Sequence, residues 1–454
     1  MRDQRALNGW GRALSGWGRT APTVARVETP VSDDELQEMV RAAGERGVLA
    51  RGMGRSYGDA AQNGGGVVLD QTRRERVLHV DEGSGVIRVE AGISLDALMR
   101  TFVPQGWFVP VTPGTRQVTV GGAIGADIHG KNHHLSGTFG HHVRSLDLLL
   151  ANGEIATLTP ADTLFWATVG GMGLTGVVLR AEIAMTAIET AWCLVDTQRC
   201  ANLDALLTAM ADDAAHEFSV AWVDCLAKGG NLGRSVLTRG RFATRTELPE
   251  KKAENPLSYN PRVLLSAPPF VPGRLLNKYS VGAFNEVWFR KAPANREGEL
   301  QTITTFFHPL DGVADWNRIY GSGGLIQYQI VVPDGHEDTI GTCIEAFSSA
   351  GAASFLAVLK RFGPENAAPL SFPMSGWTLA LDVPATMPDL GPLLNRLDEL
   401  VIEAGGRGYL AKDSRMSPET FRAMYPRYPA WAAVRDAADP NHVFRSDLAR
   451  RLQL

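Results

Sequence analysis

At 454 residues the chain is long enough for two or three domains with ample apolar burial. Its 45 Lys plus Arg nearly balance 49 Asp plus Glu, leaving a net charge of -4 with no run of like charge, which argues against nucleic acid as a partner. No run of about 18 apolar residues offers a membrane span and the N-terminus lacks the apolar core of a signal peptide, so a cytoplasmic or cell-envelope protein is expected, with at most peripheral membrane contact.

In chain order, Gly9-Trp10-Gly11-Arg12 recurs as Gly16-Trp17-Gly18-Arg19, too short for a structural repeat. Ser32 with Glu35 three residues on predicts a capped helix, continued by Leu36, Met39, Val40 and Ala43 and closed by Gly44 and Gly47. Val48-Leu49-Ala50 reads as a strand feeding a glycine loop from Arg51 to Asp59. Strands are expected at 67–70, 77–80 and 86–90, and a helix from Ser94 to Phe102. Asn152-Gly153 signals a two-residue hairpin, with a helix at 162–169 and a strand at 176–185 after it. Beyond about residue 190, strand-like runs at 218–223, 325–332 and 377–383 alternate with helices, which predicts a second domain. The proline-rich segment 244–277, with apolar Val263-Leu264-Leu265, Pro268-Pro269-Phe270-Val271 and Leu275-Leu276, reads as a long loop or a lid that admits a lipid tail. A glycine break at 404–408 precedes Tyr409 to Arg415, and the last forty residues read as helices able to pack back on the first domain.

The stretch from Val109 to His142 is the one around which the chain is organised, because it concentrates glycines, histidines and one lysine without amphipathic period. Dense glycine lets a ligand approach the backbone, and free N–H groups favour an anion, so a phosphorylated cofactor is expected. A second glycine loop about sixty residues earlier fits a dinucleotide pyrophosphate, which needs donors from more than one side. Gly171-Met172-Gly173-Leu174-Thr175-Gly176 mimics a dinucleotide fingerprint, but a helix precedes it and a strand follows, the reverse of the required order. His129, His133, His134, His141 and His142 lack carboxylates or cysteines at ligand spacing, so no metal is expected. The four cysteines, Cys193, Cys200, Cys225 and Cys343, form no C-x-x-C pair and read as reduced thiols. Lys360 and Lys412 read equally well as solvated charges or as site residues.

The loop Arg51 to Asp59, Pro113-Gly114-Thr115, Thr119 to Gly122 and Asp127-Ile128-His129-Gly130-Lys131-Asn132 resemble the FAD domain of the vanillyl-alcohol oxidase superfamily. More closely, from Gly16-Trp17-Gly18-Arg19 to Ser446-Asp447-Leu448-Ala449-Arg450-Arg451-Leu452, the chain resembles the decaprenylphosphoryl-ribose oxidase family. The resemblance implies an α+β protein. Its PCMH-type FAD-binding domain is split between residues 1–188 and 407–454, around a substrate domain at 189–406 with an antiparallel sheet flanked by helices. It implies FAD contacts at Ala50, Arg51, Gly52, Met53, Gly54, Arg55, Ser56, Tyr57, Gly58, Asp59, Ala60, Gly114, Thr119, Val120, Gly121, Gly122, Ala123, Ala126, Asp127, Ile128, His129, Val178 and Tyr409. Catalytic roles fall on Lys412, His129, Tyr57 and Lys131, and substrate contacts on Trp222, Gln327, Gln329, Lys360 and Lys412.

The implied reaction is FAD-dependent oxidation of the 2'-hydroxyl of a polyprenyl-phosphoryl ribose to a ketone, which a short-chain reductase partner then reduces to complete epimerisation to the arabinose donor for cell-wall arabinan. Lys412 is expected at the N1 and C2-carbonyl edge of the flavin. The cofactor is expected to be non-covalent: relatives that attach flavin through this loop have histidine before the serine, whereas Arg55 precedes Ser56, and a guanidinium always carries charge. Phe307, Thr378 and Ala380 depart from the family pattern and leave the exact sugar and lipid open. An alditol or aldonolactone oxidase, another glycosyl-phospholipid oxidase and a non-catalytic flavin-bearing scaffold remain the alternatives.

Overall fold

The computed structural model describes residues 11–211, 216–268, 270–271 and 276–454. Gly9 and Trp10 of the first tetrad, and Pro269 and Leu275 of the apolar segment, lie outside the described residues. The fold is α+β, and among the described residues its three larger sheets have four, five and eight strands.

In the four-stranded sheet, Thr23–Glu28 and Val48–Arg51 both run parallel to Val67–Asp70. Ser32 caps the helix Asp33–Arg41 by accepting from the Glu35 N–H, and the Glu35 carboxylate accepts in turn from the Val31 N–H at 2.7 Å. The box therefore closes one residue earlier than the usual motif. Leu36 and Val40 bury the helix against Val48, Leu69, Val177, Leu179 and Phe444. Phe444 comes from the far end of the chain, where the Arg445 N–H donates to the Val48 carbonyl at 3.0 Å.

The five-stranded sheet is antiparallel, in the order Val77–Asp81, Val86–Glu90, Val177–Ala184, Val143–Leu149, Ile155–Leu158. The expected two-residue hairpin has three residues instead. Leu150 and Glu154 pair at its base, and Gly153 takes the left-handed conformation at φ 84°, the geometry of a turn closed by a glycine bulge.

The eight-stranded antiparallel sheet runs Asn295–Thr302, Trp192–Cys200, Ser235–Phe242, Phe218–Val223, Ala357–Phe362, Gly376–Pro384, Leu325–Pro333, Arg407–Gly408. Its register pairs Gln327 with Asp382, Gln329 with Ala380, Lys360 with Thr378 and Trp222 with Val358. Side chains alternate along a strand, so these residues share one face. Their neighbours Ala221, Leu359, Leu379, Leu381 and Ile330 point the other way, into the core formed with the helices Glu337–Ser349 and Leu390–Glu403. The polar face turns toward the glycine loops.

The segment 244–277 is two pieces rather than one loop. Its first half is docked: the Pro256 carbonyl accepts from the Ala191 N–H, and Leu257 and Tyr259 pack on an apolar core. Only the second half carries exposed apolar side chains, Val263, Leu264, Leu265 and Phe270. The helices Pro418–Met424, Tyr428–Ala438 and Asp447–Leu452 return to the N-terminal half, where Trp431 Nε1–H donates to the Ala167 carbonyl at 2.9 Å. Among the described residues no helix is long and apolar enough to cross a membrane.

Candidate active site

The strand Val48–Arg51 ends in a loop whose backbone is left open. Among the described residues, nothing in the protein accepts from the N–H groups of Gly52, Met53, Gly54, Arg55 or Ser56. Three other segments hold the loop in shape. The N–H groups of Trp17 and Gly18 donate to the carbonyls of Ser56 and Tyr57, at 2.7 and 2.9 Å, and the Tyr57 N–H donates to the Ala411 carbonyl at 2.9 Å. Arg451 forks onto the Asp59 carboxylate at 2.8 and 2.7 Å, with Ala60 buried beside it. Arg51 turns inward to the carbonyls of Ser15 and Ala61, and Arg55 lies 4.0 Å over the Trp17 ring with its Nε buried and unpartnered.

The second loop meets the first where Gly52 faces Thr119, whose Oγ1 would lie 2.2 Å from an added Cβ. Thr119 caps the short helix Val120–Gly125 by accepting from the Gly122 N–H, and the Gly121 N–H donates to the Ala91 carbonyl at 2.7 Å. The Ala91 N–H donates to the Leu179 carbonyl, which places Val178 in the same wall. Asp311 receives the Thr115 hydroxyl at 2.7 Å and the Arg116 N–H at 2.8 Å, leaving Gly114 at an open apex with no atom within 4 Å of where its Cβ would be. Ala123 and Ile128 are buried behind the loop, and the Ala126 carbonyl accepts from the Tyr409 hydroxyl at 2.8 Å. Asp127, at φ 39°, is buried and accepts from Ser371 and Asn366 at 2.6 Å each and from the Gly140 N–H at 3.0 Å. Burial raises its pKa. Open backbone donors, exposed glycines and a buried orphan guanidinium N–H fit the phosphates and ring of a dinucleotide.

The sheet face supplies the opposite wall. Gln327 reaches the Tyr57 hydroxyl at 3.4 Å and also donates to Asp382. The Gln329 amide donates to His129 Nε2 at 3.0 Å, and Trp222 donates to the Phe355 carbonyl at 3.0 Å. Lys412 Nζ sits 3.9 Å over the Tyr57 ring. Asp413 does not neutralise it, being engaged by Arg451 at 2.8 Å and by the N–H groups of Arg415 and Met416. Lys131 donates to the Phe306 carbonyl and lies 4.1 Å over that ring. Lys360 has no hydrogen-bond or ion-pair partner among the described residues, and its side chain keeps only partial exposure.

These groups shift one another. Burial, then the charges of Lys360, His133 and Lys412, lowers His129 well below the usual imidazole range, so the ring is neutral. Burial and the Lys360 charge bring Lys131 down to about 7, and burial alone brings Lys360 down to about 8. Burial also lowers Lys412, opposed by Asp382, and raises Asp382 in turn. The site thus holds three lysine amines, with no carboxylate among the described residues bonded to any of them.

Asp382, fully buried with Oδ2 unpartnered, is absent from the sequence reading. Nothing in the sequence marks it, because its place opposite Gln327 on an adjacent strand emerges only in the fold. The buttress at Gly16-Trp17-Gly18 and the tie at Asp311 were also missed. Of the departures, Thr378 bonds the Ile330 carbonyl at 2.8 Å, Ala380 stands on the polar face beside Gln329, and Phe307 is buried against Phe108, Phe218 and Phe242.

The histidines are engaged by protein groups. His133 accepts from the Gly363 N–H, while His134 and His142 bond the carbonyls of His216 and Ser136. Among the described residues no group of three His, Cys, Asp or Glu is placed to hold a metal, and the four cysteines are free and buried. The mimic at Gly171 to Gly176 lies between the helix Thr163–Thr168 and the strand Val177–Ala184, the wrong order for a dinucleotide turn.

Residues 24–159 match the FAD-binding domain family, and residues 385–452 match the D-arabinono-1,4-lactone oxidase family. The chain is 50% identical to a decaprenylphosphoryl-β-D-ribose oxidase of Mycolicibacterium smegmatis, over 99% of this chain and 98% of that protein. It is 24% identical to an L-gulono-1,4-lactone dehydrogenase of Mycobacterium tuberculosis, over 93% of this chain and 94% of that one. With half its residues shared across nearly the whole length, the chain is an FAD-dependent oxidoreductase and belongs to the decaprenylphosphoryl-β-D-ribose oxidase family.

Proposed function

We propose that this enzyme oxidises the 2'-hydroxyl of a polyprenyl-phosphoryl β-D-ribose to the ketone. The observation that carries this reading is the set of Lys131, Lys360 and Lys412 around one space, with no counter-charge beside Lys360 among the described residues. A buried cation without a partner is costly, and an anionic substrate group beside Lys360 would offset that cost. A neutral polyol or lactone offers no such group.

FAD, when bound, supplies the two-electron acceptor. On this reading residues 1–188 and 407–454 form the domain that holds it, through Ala50 to Ala60, Gly114, Thr119 to Ala123, Ala126 to His129, Val178 and Tyr409, with residues 189–406 as the substrate domain. Arg55 stacks on Trp17 and offers no nucleophile, so the cofactor is held without a covalent link. Acid precipitation should leave all the colour in the supernatant.

The residues divide the remaining work. Lys412, held over the Tyr57 ring and by the turn that follows Tyr409, offers a fixed positive charge that would stabilise negative charge on a bound, reduced flavin. Neutral His129, oriented by Gln329, offers hydrogen bonding without adding charge. Lys131, near 7, is partly neutral at physiological pH and takes the hydroxyl proton. Gln327 and Trp222 shape the sugar side. The ketone requires reduction at the same carbon to complete an epimerisation, which calls for a short-chain reductase partner, and the exposed side chains from Val263 to Phe270 suit peripheral contact with a membrane holding the substrate.

Anaerobic bleaching of the yellow protein tests the reading. Farnesyl-phosphoryl ribose should reduce the flavin, whereas free alditols and aldonolactones should not. The opposite pattern would assign the enzyme to the lactone oxidases, and bleaching by neither would leave a flavin-bearing scaffold.

A further inference from the structure

Eight of the fourteen large apolar side chains exposed among the described residues lie between Val263 and Trp288. Such a concentration on one surface marks a contact site. The helix Lys278–Lys291 shows why. Tyr279, Phe284, Val287 and Trp288 are exposed, while Val281 and Asn285 are its buried residues. Four of its large apolar side chains are therefore turned outward.

This face is the outer end of a continuous line of rings. Phe284 stacks with Trp288 at 5.9 Å and meets Phe355 edge-on at 6.0 Å, and Phe355 stacks with Tyr320 at 5.8 Å. Tyr320 shares a buried cluster with Tyr57, whose ring carries Lys412. The Trp222 indole holds the Phe355 carbonyl, so the line is anchored to the polar sheet face. Val313 packs on the same cluster and lies beside Leu265 in a short parallel pair, which brings the exposed residues before 270 to the same mouth.

At its inner end the line changes chemistry. The Tyr320 hydroxyl is buried with no partner, which leaves a donor facing the region where Tyr57, Asp382 and Lys412 converge. A bilayer resting on the surface would have no use for rings leading inward to an unsatisfied hydroxyl. A ligand with an anionic head and a long unsaturated apolar chain would use both ends. Flat aromatic faces suit a branched, unsaturated chain along its whole length, because such contacts are apolar and tolerate sliding.

We propose that Tyr320, Phe355, Phe284 and Trp288 form the track along which the isoprenoid chain of the substrate leaves the site, away from the phosphate that Lys360 binds. The chain crosses the outer face of the helix Lys278–Lys291 before reaching solvent or lipid. This rests on the polyprenyl-phosphoryl reading and adds the position of the tail.

The test uses FAD-loaded enzyme with two phosphoryl-ribose substrates in detergent micelles, one with a farnesyl chain and one with an ethyl group. Phe284→Ser with Trp288→Ser alters only exposed side chains and should fold. The double variant should raise KM for the farnesyl substrate by about tenfold or more, leave kcat unchanged and leave the ethyl substrate unaffected. Phe355→Leu should give the same chain-length split. As a readout apart from turnover, farnesyl monophosphate should shift the fluorescence of wild-type protein, a signal lost in Trp288→Phe, and inorganic phosphate should not.

Equal losses on both substrates, or an unchanged KM for farnesyl, would overturn the track while leaving the substrate reading intact. Loss of co-sedimentation with anionic lipid vesicles but unchanged KM in micelles would make the face a bilayer contact instead, and self-association of the wild-type protein that the double variant lacks would make it a contact between copies. Failure of wild-type enzyme to bleach with either substrate would overturn the substrate reading, and the track with it.

Discussion

The two walls of the site are built in opposite ways. The glycine-loop wall is made of backbone: consecutive residues from Gly52 to Ser56 present open N–H groups, and their side chains matter little beyond being small or turned away. The sheet wall is made of side chains from distant strands, with Trp222, Gln327, Lys360 and Asp382 brought onto one face by register. A backbone wall tolerates no added bulk. A side-chain wall tolerates substitution but is tuned by charge.

The largest effect should come from adding bulk to the first wall. An added Cβ at Gly58 would lie 1.9 Å from the Asp413 carbonyl, which is backbone and cannot swing aside. Gly58→Ala should therefore displace the turn carrying Lys412 and yield protein without flavin. An unchanged ratio of flavin to protein absorbance would show that the backbone wall yields more than its geometry implies.

Charge removal on the second wall should leave flavin bound and change rates. Lys412→Ala should slow flavin reduction by at least about tenfold, equivalent to roughly 1.4 kcal/mol of barrier, and lower the reduction potential. An unchanged rate and potential would move the role of charge stabiliser to Lys131 or Lys360.

The pH profile divides the lysines further. kcat/KM should rise through about 7 as Lys131 loses its proton and becomes a base, and fall above about 8 as Lys360 loses the charge that binds the anionic group. Lys131→Met should abolish the acid limb and leave the alkaline limb in place. A surviving acid limb would assign proton removal to another group.

The smallest effect is expected at Asp382. Asp382→Asn keeps an oxygen for Gln327 but removes the negative charge that raises Lys412, so Lys412 should lose its proton at lower pH. The pH dependence of the flavin potential should shift down by about one unit, with flavin content unchanged. No shift would mean that the Tyr57 ring alone sustains the lysine charge.

The same contrast explains what was legible in the sequence. Residues 51–59 and 113–132 declare themselves because an open backbone requires glycine in a contiguous run. The sheet wall spans Trp222 to Lys412, and nothing local distinguishes Lys360 from a snorkelling lysine or Asp382 from a strand-end aspartate. Only the pairing of Gln327 with Asp382 and of Lys360 with Thr378 separates them, and pairing between strands so far apart is set by tertiary packing. The Gly16-Trp17-Gly18 buttress was hidden for another reason: its partners are carbonyl groups, which any sequence provides. The segment 244–277 reads as one loop or lid because its prolines mask the packing of Leu257 and Tyr259.

The fork between Arg451 and Asp59 joins groups 392 residues apart, and it bears on the order of events during synthesis. The first loop emerges from the ribosome hundreds of residues before its supports at Ala411 and Arg451. Contacts of such separation form late. Flavin uptake should therefore wait until those supports have emerged, and ribosome-stalled chains ending before residue 409 should carry no yellow cofactor even when the strands of the first 185 residues have formed.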